Sequence, residues 1–93
     1  MKFTVTEDNI INGEHLDSKQ CPVALAIRDV FPRKGEILVS LSYILIGTKY
    51  YKTPLKVRKF IDKFDGFILE GRINPFTFEL PIDEGEYNPW NVT

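Results

Sequence analysis

Six prolines divide this 93-residue chain, and no other feature limits its fold as firmly, because each removes a backbone donor and fixes φ. Pro22 and Pro54 stand where helices can begin, since the missing N–H would be unpaired in a first helical turn anyway. Pro32 ends what Pro22 opens. Pro75 follows Asn74 in a turn, Pro81 closes a strand, and Pro89 falls in the last stretch of the chain. The elements must fit between these points.

Lys2 to Thr6 alternates, with Phe3 and Val5 on one face, as a short strand does. Thr6-Glu7-Asp8-Asn9 offers a capping hydroxyl and then acids suited to a helix N-terminus. Asn12-Gly13 is expected to stop that helix through a left-handed residue. After a polar loop from Glu14 to Lys19, Cys21-Pro22 opens a second helix, with Val23, Ala26, Ile27 and Val30 at helical spacing.

Ile37 to Ser42 alternates strictly, with Ile37, Val39 and Leu41 on one face. Tyr43–Ile46 and Thr48–Lys52 flank Gly47 as two further β segments. Thr53-Pro54 reads as an N-cap hydroxyl before a proline, and Pro54, Val57, Phe60, Ile61 and Phe64 then form one apolar face. Phe76 to Leu80 alternates as the last strand, with Phe76 and Phe78 packing in the core. The expectation is an α+β fold ordered β-α-α-β-β-β-α-β: a small, mostly antiparallel sheet with two main helices packed on one side. Residues 1–81 would form the single domain and 82–93 an acidic tail.

The net charge of −1 is unevenly spread. Residues 28–63 carry nine Lys or Arg against three acids, for +6, whereas residues 64–93 sum to −5. Such asymmetry points to an anionic partner or to a tail that covers the chain's own basic surface. The opening turns acidic at Glu7-Asp8 before a long apolar stretch can start. The run Tyr43–Ile46 is far short of the roughly 20 residues a membrane-spanning helix needs. One cysteine cannot form an internal disulfide, so a cytoplasmic location is expected.

Four blocks in order, Lys2-Phe3-Thr4-Val5-Thr6, Cys21-Pro22-Val23-Ala24-Leu25-Ala26, Phe60-Ile61-Asp62-Lys63-Phe64-Asp65 and Pro75-Phe76-Thr77-Phe78-Glu79-Leu80, carry a resemblance. The chain resembles a family of small uncharacterised proteins found mainly in tailed bacteriophages and prophages. The likeness runs from about Met1 to Leu80. The stretch from Gly66 to Asn74 and everything after Leu80 depart from the pattern. The resemblance carries no catalytic residue across; it implies a phage setting, where small accessory proteins bind and disable host machinery.

Cys21, at a helix N-terminus, invites the idea of a thiolate activated by the dipole, and His15 lies six residues upstream. A nucleophile needs a positioned base and an orienting group, which nothing in the spacing supplies, so no catalytic residue is expected. One His and one Cys with scattered acids do not make a metal site, and the isolated glycines form neither dinucleotide nor P-loop motif; no metal and no cofactor are expected.

The leading expectation is therefore a non-enzymatic phage-type protein that antagonises a host (possibly defence) function by binding a host protein. Phe67, Ile68, Tyr87 and Trp90 are its contact residues, because exposed aromatics anchor protein interfaces. The alternative is an oligomeric sponge for an anionic or signalling nucleotide, with Lys49, Tyr51, Arg58 and Lys59 lining the pocket, since aromatic faces stack on bases while cations meet phosphate. The sequence pI of about 5.8 argues against duplex nucleic acid. Exposed strand edges and the apolar run Phe67-Ile68-Leu69 point to a homo-oligomer.

Overall fold

A computed structural model describes residues 1–66 and 73–82 of the chain. Within them the order is β1 (Lys2–Val5), α1 (Glu7–Asn12), α2 (Pro22–Val30), β2 (Ile37–Val39), β3 (Tyr43–Ile46), β4 (Lys49–Lys52), α3 (Leu55–Phe64) and β5 (Phe76–Glu79). Class and element order are those read from the sequence. The strands, however, are shared between two antiparallel sheets, β1–β5 and β2–β3–β4, where one had been expected.

The β1–β5 ladder closes the described chain on itself. Phe3 pairs with Phe78 and Val5 with Phe76. The Met1 ammonium donates to the Leu80 and Ile82 carbonyls, at 2.8 and 3.0 Å, and the Leu80 amide donates to the Met1 carbonyl. Ile82, which the sequence assigns to the tail, packs partly buried against the core. The rest of that segment, 83–93, lies outside the described residues.

Thr6 caps α1 as its chemistry suggests. Its hydroxyl accepts from the Asn9 amide while the Asn9 side chain accepts from the Thr6 amide, and Asn9 Nδ2 donates to Asp29 on α2. Gly13 does end α1, but in extended geometry (φ −73°) instead of the left-handed one expected. It is required for a different reason. A Cβ there would lie 2.5 Å from Cδ and Cγ of Pro22 and 2.6 Å from its nitrogen, a ring and backbone that cannot swing aside. Gly13→Ala is thus expected to destabilise the fold by about 1–3 kcal/mol, the usual cost of overpacking, read as a lower urea midpoint at unchanged slope.

Turn chemistry shortens β2. The alternation reaches Ser42, yet the ladder stops at Val39, because the Ser40 hydroxyl accepts from the Ser42 and Tyr43 amides and donates to the Tyr43 carbonyl. Leu41 leaves the strand and is 41% exposed instead of buried. Thr53 is also used differently from expectation. Its buried hydroxyl donates to the Ser40 carbonyl at 2.8 Å, tying the end of β4 to the β2–β3 turn, while Pro54 occupies the cap position of α3 without a side-chain bond. Gly47, at φ 66°, opens the two-residue β3–β4 turn, a backbone angle that glycine takes at no steric cost.

A run of aromatic rings joins the first sheet to α3. Phe31 meets Phe3, Phe3 stacks on Phe78, Phe78 meets Phe76, and Phe76 meets Phe60 at 4.8 Å; Phe60 then stacks on Phe64, and Phe64 on His15 at 4.1 Å. Phe3, Phe78, Phe31 and Phe64 are buried, while Phe76 is only half-buried. This run positions α3 and brings its flank to the segment that enters β5.

Candidate ligand-binding site

Helix geometry divides α3 into three stripes. Val57, Phe60 and Phe64, at i, i+3 and i+7, are its buried face. Lys56, Lys59 and Lys63 repeat that spacing one residue earlier, so their stripe is rotated by about 100° and runs along one border of the buried face. Arg58, Ile61, Asp62 and Asp65 fall along the other border. Two cavities flank the helix accordingly.

On the lysine side, Lys56, Lys59, Phe60 and Lys63 face Ile73, Asn74, Pro75 and Phe76 across a cavity of about 330 Å³. The half-buried Phe76 ring, tilted 32° to the buried Phe60 ring, lines its floor. Its described lining holds three ammonium groups and no carboxylate. Among the described residues neither Lys56 nor Lys59 forms an ion pair.

On the acidic side, Asp17, Asp62 and Asp65 surround a cavity of about 260 Å³ that reaches Cys21, Ser40 and Ile61. Here the helix N-terminus does not activate the thiol. Cys21 is 6% exposed, and burial pushes its thiol above the ordinary thiol range, with Asp65 and Asp17 adding to the rise; the Ala24 and Val23 amides pull the other way without prevailing. His15 serves α3 instead of Cys21: its Nδ1 sits 2.9 Å from the Phe64 carbonyl, which only an N–H at that nitrogen can satisfy. The neighbouring Leu16 amide donates to Asp65, fastening the loop to the helix end.

Because the folded thiol titrates higher than the unfolded one, its contribution to stability is complete below the usual thiol pKa and falls as pH rises beyond it. Ellman's reagent at pH 8 is expected to label native Cys21 at least about tenfold more slowly than the urea-unfolded chain. Equal rates would show an accessible thiolate.

The residues chosen from sequence do not converge. Lys59 lines the lysine cavity. Arg58 lies on the opposite border of α3, and Lys49 is exposed on β4. Tyr51 pairs with Ile44 and packs half-buried against the core, whereas Tyr50 is the exposed ring, 66% accessible and edge-on to Tyr43 at 5.2 Å. Lys56, Lys63, Phe60 and Phe76 complete the cleft, and of these only Lys56 and Lys63 are signalled in the sequence, by their helical spacing with Lys59. Phe67, Ile68, Tyr87 and Trp90 lie outside the described residues.

No family model, curated protein or solved structure matches the chain. Among the described residues no helix is long and apolar enough to cross a membrane, and no group of three or more His, Cys, Asp or Glu is placed to hold a metal ion.

Proposed function

We propose that the chain is a non-enzymatic binding protein that captures a small, ring-bearing anion of nucleotide type along the lysine border of α3. One observation carries this reading: three lysines at i, i+3 and i+7 line a cavity of about 330 Å³ beside the half-buried Phe76 ring, which packs on Phe60. The volume falls at the small end of the range for ligand pockets, roughly 300–1,000 Å³. Like charges one helical turn apart cost a few tenths of a kcal/mol per pair, and an anion between them turns that repulsion into attraction. The half-buried Phe76 ring offers a planar base a surface to stack on.

In a phage setting, capture of this kind would withdraw a nucleotide from host use without turnover. The reading also accords with a buried, high-titrating Cys21 and a His15 engaged with the helix end. Calorimetric titration with ATP at low ionic strength is expected to give saturable binding that weakens as salt is raised, with the nucleotide recovered unchanged. No heat with ATP or AMP would remove the proposal.

A further inference from the structure

We propose that the outer edge of β4 pairs antiparallel with β4 of a second copy, joining two three-stranded sheets into one continuous sheet across a two-fold axis. Backbone geometry decides which groups that edge offers. A two-residue turn makes its flanking residues, Ile46 and Lys49, a hydrogen-bonded pair, and such pairs recur at every second position of an antiparallel ladder. Tyr51 is thus bonded to Ile44, and the Thr53 amide donates to the Ser42 carbonyl, as this alternation requires. The N–H and C=O groups of Tyr50 and Lys52 therefore point away from β3. Among the described residues β4 is the last strand of its sheet, so these groups form an edge on which a further strand can be laid.

Register selects the occupant. A two-fold axis centred on Tyr50 would bring Lys52 opposite Thr48 in the turn. Centred on Lys52, it would set lysine against lysine and Tyr50 against Pro54, which has no N–H. Centred on Tyr51, it places Tyr50 of each copy opposite Lys52 of the other, and every outward N–H and C=O of both residues finds a partner. Lysine on an edge strand usually discourages pairing, but in this register the lysines do not meet. Tyr50 and Lys52 share the outer face of the sheet, opposite to Tyr51, which packs against the core. On that outer face Lys52 already stands across from Tyr43 within its own hairpin. Its ammonium would lie between Tyr43 and the second copy's Tyr50, a cation between two aromatic rings. Both tyrosines are exposed in the single chain, so the pairing covers ring surface as well. A strand from another protein would have to supply a cation for Tyr50 and a ring for Lys52; a second copy supplies both.

Analytical ultracentrifugation of the full chain, from about 1 µM to about 1 mM, is expected to show a monomer–dimer equilibrium. Working without nucleotide keeps this outcome separate from ligand capture at α3. Tyr50→Lys sets like charges opposite each other on both sides of the axis and should raise the dimer Kd at least about tenfold. Lys52→Pro deletes an outward N–H while leaving the β3–β4 ladder its own bonds, and should raise Kd by at least about tenfold too. Combining Tyr50→Lys with Lys52→Glu restores opposite charges in the same register and should return Kd to within about threefold of the unaltered chain. Both positions are exposed, and circular dichroism melts check that each variant folds. A monomer at every concentration would overturn the proposal and leave the edge to a strand of another protein. A dimer that Tyr50→Lys and Lys52→Pro leave intact would overturn it in favour of a different surface. A charge swap that restores nothing would overturn the register.

Discussion

Phe3→Ala is expected to cost about 3–5 kcal/mol, the range for truncating a buried phenylalanine that leaves a cavity behind. Phe3 is 1% exposed, stacks on Phe78 at 5.3 Å and touches Phe31 at 5.9 Å, so its removal breaks the aromatic run at the point where α2, β1 and β5 meet. For a domain this small the stability to be lost is itself only of order 5–15 kcal/mol. The thermal midpoint should therefore fall by more than about 12 °C. Leu41→Ala supplies the contrast. Leu41 is 41% exposed in the β2–β3 turn, and its loss should stay within about 0.5 kcal/mol. Equal effects from the two substitutions would mean that the core is not organised around the β1–β5 rings.

Reversing Lys56 and Lys59 together to glutamate is expected to weaken ATP binding by at least about a hundredfold while the chain stays folded. Each substitution removes an attraction to phosphate and adds a repulsion, and hydrogen bonds to charged groups are worth about 1.5–3 kcal/mol each. Both side chains are exposed and outside the core. A glutamate at position 59 would also stand four residues before Lys63, the favourable order on a helix, so stability should hold or rise slightly. Arg58→Glu removes a cation next in sequence to Lys59 but on the other border of α3, and it should change affinity less than about threefold. Circular dichroism melts check the fold, and calorimetry the binding. If Arg58→Glu matched the double reversal, recognition would be a matter of overall charge and not of this cleft.

The contrast between Arg58 and Lys59 also shows what the sequence could and could not disclose. Elements governed by neighbours in the chain were legible: the Phe3–Val5 alternation, the Pro22 helix start, the Val57–Phe60–Phe64 stripe and the Phe76–Leu80 strand all appear where expected. Features decided by distant partners were not. The β1–β5 pairing joins residues more than 70 positions apart, and it takes two strands out of what otherwise reads as one sheet. In Lys49-Tyr50-Tyr51-Lys52 the two tyrosines are equivalent by pattern, and only pairing with Ile44 turns Tyr51 toward the core and Tyr50 outward. Thr53 resembles a cap until the Ser40 carbonyl claims its hydroxyl.

The candidate site was half legible for the same reason. The lysine stripe is written in the chain at i, i+3 and i+7, so Lys56 and Lys63 could have been grouped with Lys59. Choosing Arg58 as a companion to Lys59 treats sequence neighbours as facing one way, when adjacent helical residues diverge by about 100°. The far wall of the cleft, Ile73 to Phe76, is brought to α3 by the Phe60–Phe76 contact, which no spacing in the sequence announces.

The most direct measurement is an amide ¹H–¹⁵N NMR titration of the isotopically labelled chain with ATP in EDTA. Shifts that saturate and cluster at residues 56–63 and 73–76 are the expected result, with the acidic cavity at Asp17, Cys21 and Ser40 left still. Shifts centred on that acidic cavity or on Tyr43 and Tyr50, or no shifts at all, would contradict the assignment of the lysine cleft as the binding site.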